Sequence, residues 1–405
     1  MHQKQAALTP AEALRAATAR LVHPLGPEGV PTPGLGTGLS GAALALAVLA
    51  GPDQELRRVA HGHLAAAVRA PGAMGGGGLY SGAAAVAFAA RLMARAPGEY
   101  GGLLAALLPK VRESAAGRAA ALRADLAAGA GLRAHTFDAV SGLAGLARLL
   151  LVLEPDGPAT AGALSALVEP AAPGSGPLPR WWTAGAPGLP GADPDEPRGH
   201  LNLGLAHGVP GPLAVLSVAR ARGVLVPGQD EAIESLADWL AAHRRPAGGW
   251  PMTVPVEDAE RGRPLTDTPT RAAWCYGTPG TSRALFLAGQ ALDRDDWRRT
   301  AVTELADALA DPTGWHLEGP GLCHGTGGLL RIVQRTAEES GSAALAAHLP
   351  ALATATARDL TTALTADAPT TLLEGTAGAA LALHAHLHPQ APTPETTWDA
   401  CLLLG

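Results

Sequence analysis

Two kinds of apolar run alternate along this chain. One kind is apolar nearly all round, as in GAALALAVLA from Gly41, GAAAVAFAARLMA from Gly82 and GLARLLLVL from Gly145. The other carries charges on one side, as in DQELRRVAHGHLAAAVR from Asp53, DEAIESLADWLAAHRR from Asp230 and DWRRTAVTELADALA from Asp296. Runs of the first kind predict helices buried on both sides, and runs of the second predict helices with one wet face. The two kinds come in pairs, and a G-x-x-G step marks the start of each buried run. GLSG at Gly38, GAAA at Gly82, GLAG at Gly142, GVPG at Gly208, GTPG at Gly277, GTGG at Gly325 and GTAG at Gly375 are the seven copies, the second with Ala85 for its last glycine. Successive starts lie 44, 60, 66, 69, 48 and 50 residues apart, the length of a helix pair with its loops.

Seven helix pairs can stack as an open solenoid or close into a ring. Closure is the expectation, because every inner run is so apolar and neither end carries a polar capping repeat. The predicted fold is therefore all-α: an α/α toroid of seven helix hairpins, with an inner and an outer ring, forming one domain over residues 1–405. The glycines let backbones crowd at the starts of the inner helices. The fourth outer helix, near Ala159 to Ala171, is short and weakly marked. The last outer helix reads as one run, SAALAAHLPALATATARDLTTAL. Two stretches break the repeat. Residues 155–199, with GPLPRWWTAGAPGLPGADPDEPRG, read as an irregular insertion or lid, and the segment from Arg244 to Arg271 reads as extended and polar. Both lead into loops at the same end of the expected ring, where they are candidates to cover a site.

Composition narrows the setting. Hydrophobic residues make up 47% of the chain but aromatics only 3%, so the apolar content is mainly Ala and Leu, as in closely packed helices. A net charge of −6 with scattered Lys and Arg gives no footprint for nucleic acid. Three cysteines do not make a disulfide framework and point to a reducing compartment. The N-terminus has Thr9 as a candidate cap with Pro10 in the first turn, not the uninterrupted apolar stretch of a signal peptide. The longest apolar run is about half of what spans a bilayer. These features together predict a cytoplasmic protein with no transmembrane segment.

Candidate chemistry sits where the copies stop being alike. The position before the first glycine runs Thr37, Ser81, Ser141, His207, Tyr276, His324 and Glu374, and the position before that holds Cys275 and Cys323 in the fifth and sixth copies. Cys275, Cys323 and His324 form a ligand set for one zinc ion per chain with a position left open. An inert buried thiol is the alternative for any single cysteine, and Cys401, outside the repeat positions, keeps that reading. His207 can be a fourth ligand, an acid or base, or a packed histidine. A fourth protein ligand would close the metal to substrate, which favours acid/base chemistry. Asp138, four residues before its glycine, can orient His207 or cap a helix. Arg271, four residues before Cys275, can stabilise a developing oxyanion or be a surface arginine, and Tyr276 can donate a hydrogen bond or fill space. His384, His386 and His388 receive no role.

AHGVPG, WCYGTPG and LCHGTGG, in that order along seven glycine-marked helix pairs, resemble the lanthipeptide cyclases of the LanC-like family. The resemblance implies an α/α toroid whose zinc is held by Cys275, Cys323 and His324, with Arg271, Tyr276, His207 and Asp138 around the reaction. That reaction is the addition of a cysteine thiol to dehydroalanine or dehydrobutyrine in a precursor peptide, giving lanthionine or methyllanthionine thioether rings. The partners implied are the dehydrated peptide and a separate dehydratase. Addition of a small thiol such as glutathione, or a non-catalytic peptide scaffold with structural zinc, are the competing readings.

Overall fold

The computed structural model describes residues 8–24, 30–173, 178–185, 198–262, 270–389 and 397–405. Parts of the two irregular stretches, 174–177, 186–197 and 263–269, lie outside the described residues, as does the segment before Leu8.

Among the described residues, fourteen helices of eleven residues or more follow one another in pairs. They are α1 (Pro10–Arg20), α2 (Leu39–Leu49), α3 (Gln54–Arg69), α4 (Gly82–Met93), α5 (Gly101–Ala128), α6 (Leu143–Leu153), α7 (Pro158–Val168), α8 (Pro210–Ala221), α9 (Gln229–Ala242), α10 (Thr278–Ala291), α11 (Asp295–Ala310), α12 (Thr326–Ser340), α13 (Leu349–Thr365) and α14 (Thr376–Leu387). Each even-numbered helix follows one of the G-x-x-G copies or begins within it. Their burial follows the sequence pattern: every residue of α2 from Leu39 to Ala47 is buried, whereas α3 buries only Ala60, Leu64 and Ala67, one stripe. The helix starts are locally specified. Thr9 and Glu12 form a reciprocal capping box on α1, and the Asp53 carboxylate accepts the Glu55 and Leu56 amides at the start of α3. The last outer run differs from expectation by splitting into a short turn, Ala343–Ala346, and α13. Pro350 explains the break, since it cannot continue a helix but fits the first turn of a new one.

The chain divides into two compact units. Unit 1 holds residues 1–75, 80–107 and 317–398. Within it α12 packs on α14, α14 on α2 and α2 on α4, while α1 lies against α13 and α14. The first and last hairpins are thus direct neighbours. Unit 2 holds residues 76–79, 108–316 and 399–405, and in it α6 packs on α8 and α8 on α10.

The loops before the even-numbered helices are stitched together by backbone hydrogen bonds. In unit 1 the Leu322 and Cys323 amides donate to the Leu373 carbonyl, those of Leu372 and Leu373 donate to Gly36, and Leu35 donates to Tyr80. In unit 2 Ala139 donates to Ala206, and Ala206 to Cys275. Equivalent or adjacent positions of successive copies are therefore hydrogen-bonded neighbours within each unit. The closing glycine of each step has a definite reason within this arrangement. A Cβ at Gly41 would collide with the Leu35 carbonyl, at Gly145 with Ala139, at Gly328 with Leu322 and at Gly378 with Leu372, six residues back each time. Where the second copy has Ala85, the loop takes another course, with the Ala83 amide bonded to the Gly75 carbonyl. Gly41→Ala is expected to destabilise by about 1–3 kcal/mol through this overpacking. Gly62→Ala, in the middle of α3 with open space around the new methyl, is expected to stabilise by roughly 0.5–1 kcal/mol. Thermal melts of the two variants beside the parent test both signs.

The irregular stretches do more than wander. β1 (Thr183–Ala184), β2 (Gly199–Asn202) and β3 (Thr253–Pro255) form one small antiparallel sheet in the order β1-β2-β3, pairing Leu201 with Val254 and Asn202 with Thr253. The sheet delivers β2 straight into the His207 loop.

Candidate functional site

The turn from Arg271 to Gly277 holds Cys275 and Tyr276 at its tip. Ala272 bridges to Gly277, and the Ala273 amide donates to the Tyr276 carbonyl at 3.3 Å. Gly277 has φ 91°, and a side chain there would strike the Arg271 backbone, so the turn requires glycine. Trp274, fully buried, anchors the base by donating Nε1–H to the Leu402 carbonyl at 2.8 Å. Cys275 is 5% exposed, and Cys323 and His324 are half-buried.

The ligand atoms of Cys275, Cys323 and His324 all lie within 4.8 Å of one another. Two sulfurs and an imidazole at this spacing are a group that could hold a metal ion, and the donors are those a soft transition ion prefers. Cys401, fully buried, is not part of the group.

His207 is held by Asp138, with Nδ1 and Oδ2 2.7 Å apart. The other carboxylate oxygen, Oδ1, accepts the Ser141 and Gly142 amides, each at 2.6 Å, at the start of α6. Asp138 therefore caps a helix with one oxygen and orients an imidazole with the other. The carboxylate accepts at Nδ1, so that nitrogen carries the proton and Nε2 is the ring position left to exchange a proton elsewhere. Burial opposes charge on His207, but the hydrogen bond and charge of Asp138, with the charge of Cys275, outweigh it and raise the pKa above the ordinary 6.5. Asp138→Asn removes two of these three influences and is expected to lower the His207 pKa, as read by an NMR pH titration of the imidazole. A pKa raised in the folded state means that the pair's contribution to stability is full below about pH 6.5 and disappears as pH rises through the folded value.

Tyr276 is 6% exposed, with its ring centroid 6.2 Å from that of His207. Arg271 is half-buried and lines a cleft of about 230 Å³ with Arg245, Glu304, Asp307 and Asp311. Glu304 there accepts from Arg244 at 2.6 Å and from the Gly249 amide at 2.5 Å. The structure thus groups Cys275, Cys323 and His324, pairs His207 with Asp138 and sets Tyr276 beside His207, while Arg271 opens onto the cleft.

Sequence reasoning missed His200 and Asn202. Asn202 lies 3.2 Å from the Tyr276 hydroxyl and 3.5 Å from His200 Nε2. Two polar residues at alternate positions of GHLN, just before the AHGVPG copy, were the available signal.

A solved structure, that of a nisin cyclase, matches 98% of this chain and 96% of its own with a TM-score of 0.77 at 20% identity. The fold is accordingly of the all-α, α/α-toroid class. The lanthionine synthetase C-like family model matches residues 30–403, and the chain belongs to that family. A curated relative, the nisin biosynthesis protein NisC of Lactococcus lactis subsp. lactis, is 29% identical over 140 residues. That match spans 34% of this chain and 33% of the relative's length. Among the described residues no helix is long and apolar enough to cross a membrane.

Proposed function

We propose that this chain is a zinc-dependent, cytoplasmic cyclase that adds cysteine thiols to dehydroalanine or dehydrobutyrine within a precursor peptide, forming lanthionine or methyllanthionine rings. The observation that carries the reading is the gathering of two thiols and an imidazole within 4.8 Å in a member of this family. One zinc ion per chain fits that donor set, with bonds of about 2.0–2.3 Å to nitrogen and sulfur. When bound there, it would keep a substrate thiol in its nucleophilic, deprotonated form near neutral pH.

In the addition, the sulfur forms a bond to the β-carbon and the C=C pair moves onto the carbonyl as an enolate. A proton then goes to the α-carbon. His207, charged to higher pH by Asp138, is the proton donor through Nε2. Tyr276 donates a hydrogen bond to the enolate oxygen, and Arg271 supplies positive charge against the same developing anion. Atoms balance without any oxidant, because the thiol's hydrogen and sulfur both end in the product. The substrate must arrive already dehydrated, so a separate dehydratase is the expected partner. A single domain over 1–405, with 155–199 inserted in it, belongs to the same reading and is supported by one family match running across 30–403.

The test is incubation of the purified chain with a dehydrated peptide, followed by thiol alkylation and mass spectrometry. Ring formation leaves the peptide mass unchanged and removes its alkylatable thiols. An added small thiol is expected not to enter the product. Incorporation of that thiol in place of rings would assign the chain to intermolecular addition.

A further inference from the structure

Asn202 ends β2, is 3% exposed and stands five residues before His207. Its Oδ1 accepts the Gly204 amide at 3.0 Å. A backbone N–H can only donate, so the opposite end of the side chain must be the NH₂ group, with two hydrogens to place. One points at the Tyr276 hydroxyl oxygen, 3.2 Å away, and the other at His200 Nε2, 3.5 Å away. The tautomer of His200 agrees. Its Nδ1 lies 2.9 Å from the Gly185 carbonyl, which can only accept, so Nδ1 carries the proton and Nε2 of the neutral ring is a bare acceptor. Burial keeps that ring neutral by lowering its pKa, against a smaller opposite effect of the Gly185 hydrogen bond. Every hydrogen bond in the chain from Gly185 through His200 and Asn202 to Tyr276 therefore has a defined direction.

We infer that Asn202 is a positioning residue for the reaction: by donating to the Tyr276 oxygen it fixes the phenol's rotor, so that Tyr276 presents its own O–H away from Asn202 as a donor. This rests on the cyclase reading, in which the Tyr276 hydroxyl must donate to the oxygen that gains charge. A neighbour that accepted instead would take that proton for itself. The Gly204 bond does a second job, since it ties the same amide to the loop that carries His207. Asn202 thus holds the proposed hydrogen-bond donor and the proposed proton donor in one register.

Asn202→Asp separates these jobs. The carboxylate still accepts from Gly204, but it offers Tyr276 an acceptor in place of a donor and reverses the phenol. The expected result is a fall in kcat of roughly 10- to 100-fold, within or below the range for losing an oxyanion donor outright, with KM little changed and the melting temperature lowered, because the new carboxylate is buried against the His200 Nε2 acceptor. In a Tyr276→Phe background the same substitution is expected to cost almost nothing further, because the group it orients is gone. Wild-type kcat in Asn202→Asp, or an equal loss in both backgrounds, would overturn the inference. Hydrogen-bond direction is also read without turnover, from the two Asn202 side-chain amide protons by NMR. Tyr276→Phe is expected to shift and deprotect one of them and leave the other in place. If the parent chain forms no rings, the cyclase reading fails on its own. The NMR result then still decides the hydrogen-bond network, and two unmoved protons overturn it.

Discussion

Cys323→Ala is expected to take bound zinc from about one ion per chain to background and to remove nearly all ring formation, while leaving the helical fold intact. The fold is expected to survive because the backbone amide of this residue, which donates to the Leu373 carbonyl at 2.8 Å, is unchanged by the substitution. The metal does not survive, because one thiol and one imidazole are left where three donors stood within 4.8 Å. A free thiol with a pKa of about 8.5 is only a few per cent thiolate near pH 7. Loss of the ion therefore costs roughly 30-fold from ionisation alone, before any loss of substrate positioning. Metal analysis of the dialysed protein and the alkylation assay check the two halves separately. Cys401→Ala, at a buried position outside the group, is expected to keep its zinc. Full metal in Cys323→Ala would mean that the ion is held elsewhere.

The fold was legible because it repeats. A single G-x-x-G says little, but seven in register beside alternating apolar and amphipathic runs define the hairpins, and the structure returns each pair. That Cys275 and Cys323 take the same position in their copies was legible for the same reason, since within each unit neighbouring copies bond at matching positions, Ala206 to Cys275 and Cys323 to Leu373. What the sequence hid was structure with no repeat behind it. The strands of the irregular stretches are two to four residues long and pair across intervals that no local pattern encodes. Their contribution, His200 and Asn202, therefore went unread. Arg148 and Arg283 are a further case. They interrupt α6 and α10 and are fully buried, where Arg148 donates to Gly405 and Arg283 to Leu404 in the segment 399–405. Buried arginines need such carbonyls. Nothing within an apolar run, however, says which distant segment will provide them.

His207→Ala is expected to lower kcat for ring closure by about 10²–10⁴-fold while leaving the zinc content at that of the parent chain. The geometry argues for both halves. Nδ1 is committed to Asp138 at 2.7 Å, and that pair lies within one compact unit and is held by helix-capping bonds that do not involve the metal group. Removing the ring deletes the proposed proton donor, whose pKa burial lowers but Asp138 raises by more, so on this reading the enolate takes its proton from water. The pH profile separates this from a packing defect. Activity that depends on the charged imidazole falls as pH rises through the folded His207 pKa, and Asp138→Asn moves that descending limb to lower pH. A packing defect lowers the whole profile without moving it. Loss of zinc from His207→Ala is the opposing outcome. It would make His207 a fourth ligand, close the metal to the incoming thiol and leave the α-proton without a donor among these residues.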